Sequence, residues 1–402
     1  MPEPLLEVDG LTTQFFTDDG RVVAVSDLDL TLNRGEVLGI VGESGSGKSV
    51  LALSLANLLA SPGRITAGSI WLHDASLANG VRDTYPDAVD GHRVDLRELP
   101  PSIRRGLRGT TISMIFQDAE SSFNPSLTVG EQLAEAAEVQ RRALSRPRES
   151  INRNPALEYS LTDYLLSLTT RRRKFISSES RDKAVELLEQ VGIPDPVERA
   201  DQYPHEFSGG MLQRAMIAQA LAGEPSLLIA DEPTTALDVT IQAQVLDLLA
   251  DLQEQNDMTV MLITHDLGVV ARMCERVGVM YAGEIVERGT VTDIFDRTAH
   301  PYTKGLLGSL PDLDAATERL EPIPGNVPSL LAAEMEDRCY FADRCPKAME
   351  QCLEKPTSMA VSADGTHSMT CWLADMEYGD SPPLPANHFS ELPIHVEESL
   401  DD

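Results

Sequence analysis

The residues Gly42-Glu43-Ser44-Gly45-Ser46-Gly47-Lys48-Ser49 fit the phosphate-loop spacing G-x-x-x-x-G-K-[ST] at every fixed position. The glycines Gly42, Gly45 and Gly47 let successive backbone N–H groups turn toward an anion, and Ser44 lies between the first two. Lys48 can reach β- and γ-phosphates, and the Ser49 hydroxyl can ligate Mg²⁺. A second set of candidates lies downstream, where Leu227-Leu228-Ile229-Ala230 runs into Asp231 and Glu232. An apolar run ending in two acids describes a buried strand that delivers carboxylates to its C-terminal end. Asp231 would hold Mg²⁺ through its shell, and Glu232 would sit where water attacks a γ-phosphate. The next apolar run, Met258 to Thr264, ends at His265, which is placed to sense that phosphate. The chemistry implied is binding and hydrolysis of a nucleoside triphosphate.

These groups need a scaffold. Val37 to Val41 reads as a buried strand, and Val50 to Ala60 as the helix after the glycine loop. Leu5 to Leu11 and Val22 to Leu32 alternate in the manner of antiparallel strands. Between them, Phe15 or Phe16 could stack on an adenine ring or could equally be core. Ala67 to His73 and Thr111 to Phe116 add strands, the latter ending at Gln117. Arg181 to Val191 and the segment from Ser208 to Leu221 have helical spacing. Ser208 is a natural N-cap, and Gly209-Gly210 permits close approach to an anion. Asp238 lies in a turn after the paired acids. The stretches 75–108 and 141–180 are polar; the second carries Arg171-Arg172-Arg173-Lys174, a solvated patch or a contact for acidic headgroups or a partner.

The formal net charge of −31 disfavours nucleic-acid binding. Lysine is confined to Lys48, Lys174, Lys183, Lys304, Lys347 and Lys355. Such a surface resembles that of cytosolic proteins from extreme halophiles, whose self-repulsion is screened at molar salt, where the Debye length is about 3 Å. A halophilic archaeon is the expected source, against an ordinary acidic protein. No signal peptide is visible, and Val50 to Ala60 is shorter than the roughly 20 residues needed to span a bilayer, so a peripheral place on the cytoplasmic face is expected.

The phosphate loop 42–49, Gln117, Phe207-Ser208-Gly209-Gly210-Met211, the acidic strand 227–232, Ala236-Leu237-Asp238 and His265 occur in an order that resembles the ATP-binding subunit of ABC transporters. The wording GESGSGKSV, MIFQD, FNPSLTVGEQ, YPHEFSGGM, DEPTTALDVTIQAQ, THDLGVV, GEIVERG and HPYTKGLL is similar to the dipeptide/oligopeptide and nickel importer ATPases. The resemblance implies an α/β fold: a RecA-like P-loop ABC ATPase core with an antiparallel β subdomain and an α-helical subdomain, plus a small cysteine-containing C-terminal extension. It implies ATP and Mg²⁺, with Gln117 bridging nucleotide, metal and membrane subunits. It also implies a second ATPase subunit, whose phosphate loop would face Ser208-Gly209-Gly210. A related but distinct partner is expected, with a homodimer as the alternative. Two transmembrane permease subunits and, indirectly, an extracellular solute-binding protein complete the set. The function implied is ATP hydrolysis that energises peptide import. A nickel or other small-solute importer of the same kind, or a soluble non-transport ATPase, is the alternative.

The expected domains are 1–310 for nucleotide binding, with a helical subdomain over about 118–222, then 311–374 for the extension, and 375–402 for an acidic, disordered tail. Cys339, Cys345, Cys352 and Cys371 cluster in the extension. Their spacing lacks the close pairs of structural zinc sites and the ferredoxin pattern. The resemblance implies a [4Fe–4S] cluster held by all four; zinc or unligated thiols remain open.

Overall fold

A computed structural model of the chain describes residues 3–144, 176–235, 237–309, 323–331 and 337–375. Most of the stretch 141–180, its basic run, the 310/311 boundary and the acidic tail lie outside these residues. In chain order the elements begin with β1 (Pro4–Thr17), β2 (Gly20–Asn33), β3 (Val37–Val41), α1 (Lys48–Leu55) and β4 (Gly63–His73). Next come α2 (Ala75–Val81), β5 (Val89–Asp90), β6 (Arg93–Asp95), α3 (Pro101–Leu107) and β7 (Ile112–Ile115). Five helices follow: α4 (Ala119–Ser122), α5 (Val129–Leu144), α6 (Ser178–Gln190), α7 (Pro196–Ala200) and α8 (Gly209–Leu221). The chain continues with β8 (Leu227–Asp231), α9 (Val239–Asn256), β9 (Thr259–Thr264), α10 (Leu267–Met273), β10 (Arg276–Tyr281) and β11 (Glu284–Thr290). It closes with α11 (Val291–Asp296), α12 (Pro301–Gly308), β12 (Ser358–Ala360) and β13 (Ser368–Thr370).

Two compact units share these elements. The first comprises Met1–Val8, Thr31–Val37 and Ser69–Ile263. Its core is a parallel run in which β8 lies between β7 and β9, with Ile112 opposite Leu227 and Leu227 opposite Thr259. All of Leu227–Asp231 and Thr259–Thr264 is buried, which is why these strands read as unbroken apolar runs rather than alternating ones. Between Asp118 and Ala222 the described residues hold helices and turns but no strand. At the start of α5 a side chain on Gly130 would meet the Ala200 carbonyl at 2.6 Å, so glycine lets α5 and α7 approach.

The stretch 75–108 is more than a polar surface loop. β6 pairs antiparallel with β4 (Trp71 opposite Asp95) and with β5, while Leu77, Val81, Val94, Leu96, Leu99 and Ile103 are buried. Its apolar residues are too widely spaced for the charged neighbours to let them show in the sequence.

The second unit takes Asp9–Leu30, Leu38–Gly68 and the described residues from Thr264 onward. Its sheet runs in the order β12-β13-β11-β10-β3. β10 is parallel to β3 (Gly278 opposite Ile40) and antiparallel to β11, and the β12–β13 hairpin adds to β11 with Glu287 opposite Met369. The cysteine-containing region is therefore built onto the sheet that carries the phosphate loop. Helix α1 starts at Lys48 and ends at Leu55, short of the expected Ala60; Asn57, with φ +52°, turns the chain away.

Candidate functional site

In the second unit, β3 delivers the chain into the loop and α1 receives it. Gly42 has φ +156°, and a Cβ there would lie 2.1 Å from the Met280 carbonyl oxygen. Gly47 has φ +102°, and a Cβ would come within 2.2 Å of the Ala24 carbonyl oxygen. Only glycine allows the loop to lie this close to β2 and β10. The N-terminus of α1 carries no side-chain cap, so its first N–H groups point into the loop as an anion cradle. The Lys48 ammonium lies inside the same loop, donating to the carbonyl oxygens of Gly42 (2.8 Å) and Glu43 (2.9 Å), although the residue is only 5% exposed. A buried cation beside an uncapped helix start suits a polyphosphate. Ser44, Gly45 and Ser49 are exposed along the rim, where Ser49 supplies a hydroxyl of the kind Mg²⁺ accepts.

The loop is also held from behind. The Glu43 N–H donates to the Tyr302 hydroxyl at 2.9 Å, and the Arg344 guanidinium clamps the Glu43 carboxylate at 2.6 and 2.9 Å. Sequence reasoning missed Tyr302 and Arg344. The one available signal was an arginine directly before Cys345, in a segment read only for its thiols. Phe15 is half-buried, its ring against Gly63, where a Cβ would come within 2.8 Å of it. Phe16 is exposed, with Arg64 over its ring at 5.6 Å. His265 is an exposed residue between β9 and α10.

In the first unit, Asp231 ends β8, only 6% exposed, and is chemically suited to Mg²⁺. Glu232 follows in the left-handed region at φ +48°, a conformation that costs a non-glycine residue on the order of 1–3 kcal/mol. Three contacts hold it there. Its N–H donates to the Ile263 carbonyl (2.8 Å), and its Oε2 accepts from Gln117 Nε2 (3.0 Å) and Thr235 Oγ1 (2.8 Å). Two residues singled out separately in the sequence, Gln117 and Glu232, thus meet side chain to side chain.

Ser208 caps α8 by accepting from the Met211 N–H, and Ser208 and Gly209 are exposed. Gly209 faces open space, whereas a Cβ on Gly210 would strike Ile241 of α9 at 2.9 Å. One glycine of the pair therefore serves packing, and the other leaves a helix start accessible. Buried Gln213 donates to the Pro233 carbonyl, tying this helix to the segment after the acids. Asp238 caps α9, accepting from the N–H groups of Thr240 and Ile241.

The expected iron–sulfur site gains no support. Among the described residues, no three His, Cys, Asp or Glu side chains form a group that could hold a metal. Cys339, Cys345, Cys352 and Cys371 are near neighbours, the last two buried and the first two partly so. The Cys339 thiol is hydrogen-bonded to Cys352, which pushes Cys339 up and brings Cys352 down to about 7. Burial raises Cys345 to about 12 and Cys371 to about 11.

Comparison with known proteins is decisive at this point. The model of the family described as ABC transporter matches residues 25–235. The chain belongs to the ABC transporter family. A second model, described as the oligopeptide/dipeptide transporter C-terminal region, matches residues 286–352. The dipeptide transport ATP-binding protein DppD of Bacillus subtilis is 43% identical over 374 residues, covering 93% of this chain and 96% of that protein. The oligopeptide transport ATP-binding protein AppD of the same organism is 40% identical over 374 residues, covering 93% and 98%. A dimeric solved structure of the ABC transporter cassette MJ0796 has the same fold, with TM-score 0.52 at 24% identity over 71% of this chain and 99% of that one. The expectation of a halophilic archaeal source draws nothing from relatives of this kind and rests on surface charge alone.

Proposed function

We propose that this ABC subunit hydrolyses ATP to energise the import of di- or oligopeptides through a membrane transporter. The observation that carries the reading is a glycine-shaped phosphate loop in a chain that also holds the oligopeptide/dipeptide C-terminal region. In this reading the α1 N-terminus and Lys48 bind the β- and γ-phosphates, and Ser49 and Asp231 would hold Mg²⁺, whose chemistry is to neutralise charge on the transferred phosphoryl group. Glu232 polarises the attacking water, His265 senses the γ-phosphate, and Phe15 stacks on the base. Gln117, donating to Glu232, links the state of the hydrolytic carboxylate to the segment after β7 that would contact permease subunits.

The exposed start of α8 at Ser208-Gly209-Gly210 belongs, in this reading, to the nucleotide of a second subunit, with Asp238 beside that boundary. The cassette MJ0796, similar in fold, is described as dimeric. A distinct partner ATPase, two permease subunits and an extracellular solute-binding protein complete the assembly, and the chain is peripheral on the cytoplasmic face. Among the described residues, no helix is long and apolar enough to cross a membrane.

The test is ATP turnover by the chain reconstituted with its copurifying membrane subunits and solute-binding protein. Di- or oligopeptides are expected to stimulate it. Stimulation by a nickel chelate and not by peptides would move the substrate class, and no turnover in the assembly would refute the reading.

A further inference from the structure

The C-terminal region reaches the phosphate loop through one ion pair that spans 301 residues of sequence. Arg344 has its side chain only 4% exposed, and it grips both carboxylate oxygens of Glu43. Its Nε donates to the Pro324 carbonyl at 2.9 Å, which fixes the plane of the guanidinium. Tyr281, Tyr302 and Phe341 pack as a trio beneath it, with ring centroids 4.6–5.4 Å apart. Arg344 lies over Tyr281 at 5.7 Å and is held above its ordinary pKa chiefly by the bond to Glu43. Loop, trio and arginine all belong to one compact unit.

The consequence is electrostatic. Lys48 gives the loop one positive charge, and Glu43, whose carbonyl accepts from that ammonium, contributes one negative charge. Left to themselves the two would cancel beside a site that must attract a polyphosphate, in a chain of net charge −31. Arg344 restores the positive balance and holds the carboxylate by both oxygens. We propose that Arg344 is a positioning residue for nucleotide binding: by neutralising and tethering Glu43, it makes the phosphate loop receptive to ATP. The C-terminal region thereby sets the affinity of the loop.

The proposal rests on the loop binding ATP, and failure of the wild-type chain to bind Mg–ATP would refute that reading instead. The experiment is a charge cycle on the full chain, with Mg–ATP affinity measured by titration calorimetry and folding followed by circular dichroism. Arg344→Met should weaken ATP on the order of tenfold, because one unscreened charge now lies near the phosphates. Glu43→Gln should tighten it several-fold, since the guanidinium is then uncompensated. The double variant should return to within about threefold of wild type, because both charges are gone. A packing role alone gives a different pattern, with Glu43→Gln no tighter than wild type and the double variant at least as weak as Arg344→Met. That pattern, or wild-type affinity in Arg344→Met, overturns the proposal. If Arg344→Met does not fold, Glu43→Gln decides alone: weaker ATP binding there refutes it.

Discussion

Replacing Glu232 by glutamine separates binding from hydrolysis, and the local geometry says why. Glu232 Oε2 accepts from both Gln117 and Thr235, so a glutamine oxygen in the same place keeps both bonds. The backbone at φ +48° is secured by the main-chain bond to Ile263, which the substitution does not touch. Stability should therefore change by about 1 kcal/mol or less, the difference between a charge-assisted and a neutral acceptor. The variant loses the negative charge that draws a proton from water. Loss of a general base costs about 10²–10⁴-fold in turnover, or roughly 3–5 kcal/mol of barrier. The assay is steady-state ATP hydrolysis by the assembled transporter at saturating Mg–ATP, with nucleotide affinity measured on the same preparation. The expected outcome is unchanged affinity with turnover down by at least about a hundredfold. Turnover within a few-fold of wild type would remove Glu232 from the proposed role, as would a loss matched by equal loss of affinity.

Three further outcomes follow from other parts of the molecule. Glu287 is fully buried and accepts from His367 Nε2 (2.8 Å) and the N–H groups of Ala299 (2.7 Å) and His300 (3.1 Å). Glu287→Ala should destabilise the second unit by roughly 3–5 kcal/mol in denaturant unfolding, and less than about 1 kcal/mol would contradict this accounting. His300 is 1% exposed, and burial lowers its pKa to about 3. It is neutral in the folded chain but takes a proton in the unfolded chain below about pH 6.5. Its contribution to stability is thus present above about 6.5 and is lost as pH falls toward 3. His300→Asn, which keeps an acceptor for the Tyr302 N–H, should lose less unfolding temperature than wild type between about pH 7 and 4.5. Equal slopes would refute the assignment. The net charge of −31 should make unfolding temperature rise steeply from low to molar KCl, and a flat response would remove the salt-adaptation reading.

The sequence by itself determined whatever is local in the chain. The phosphate loop could be read because its glycines, lysine and serine are contiguous and the backbone they require is set by neighbours in sequence. Buried parallel strands announced themselves as apolar runs, and Ser208 declared a helix start because capping acts over three residues. The tertiary structure decided what depends on distant residues meeting. Gln117 bonds to Glu232, and the β12–β13 hairpin joins β11, only because the folded chain brings those segments together. The clustering of the four cysteines left metal or chance open; in the folded chain Cys352 and Cys371 are buried and Cys339 is hydrogen-bonded to Cys352. Nothing in the sequence singled out Arg344. Its meaning comes from burial, since a guanidinium removed from water must find a carboxylate, and the fold leaves it Glu43 of the phosphate loop.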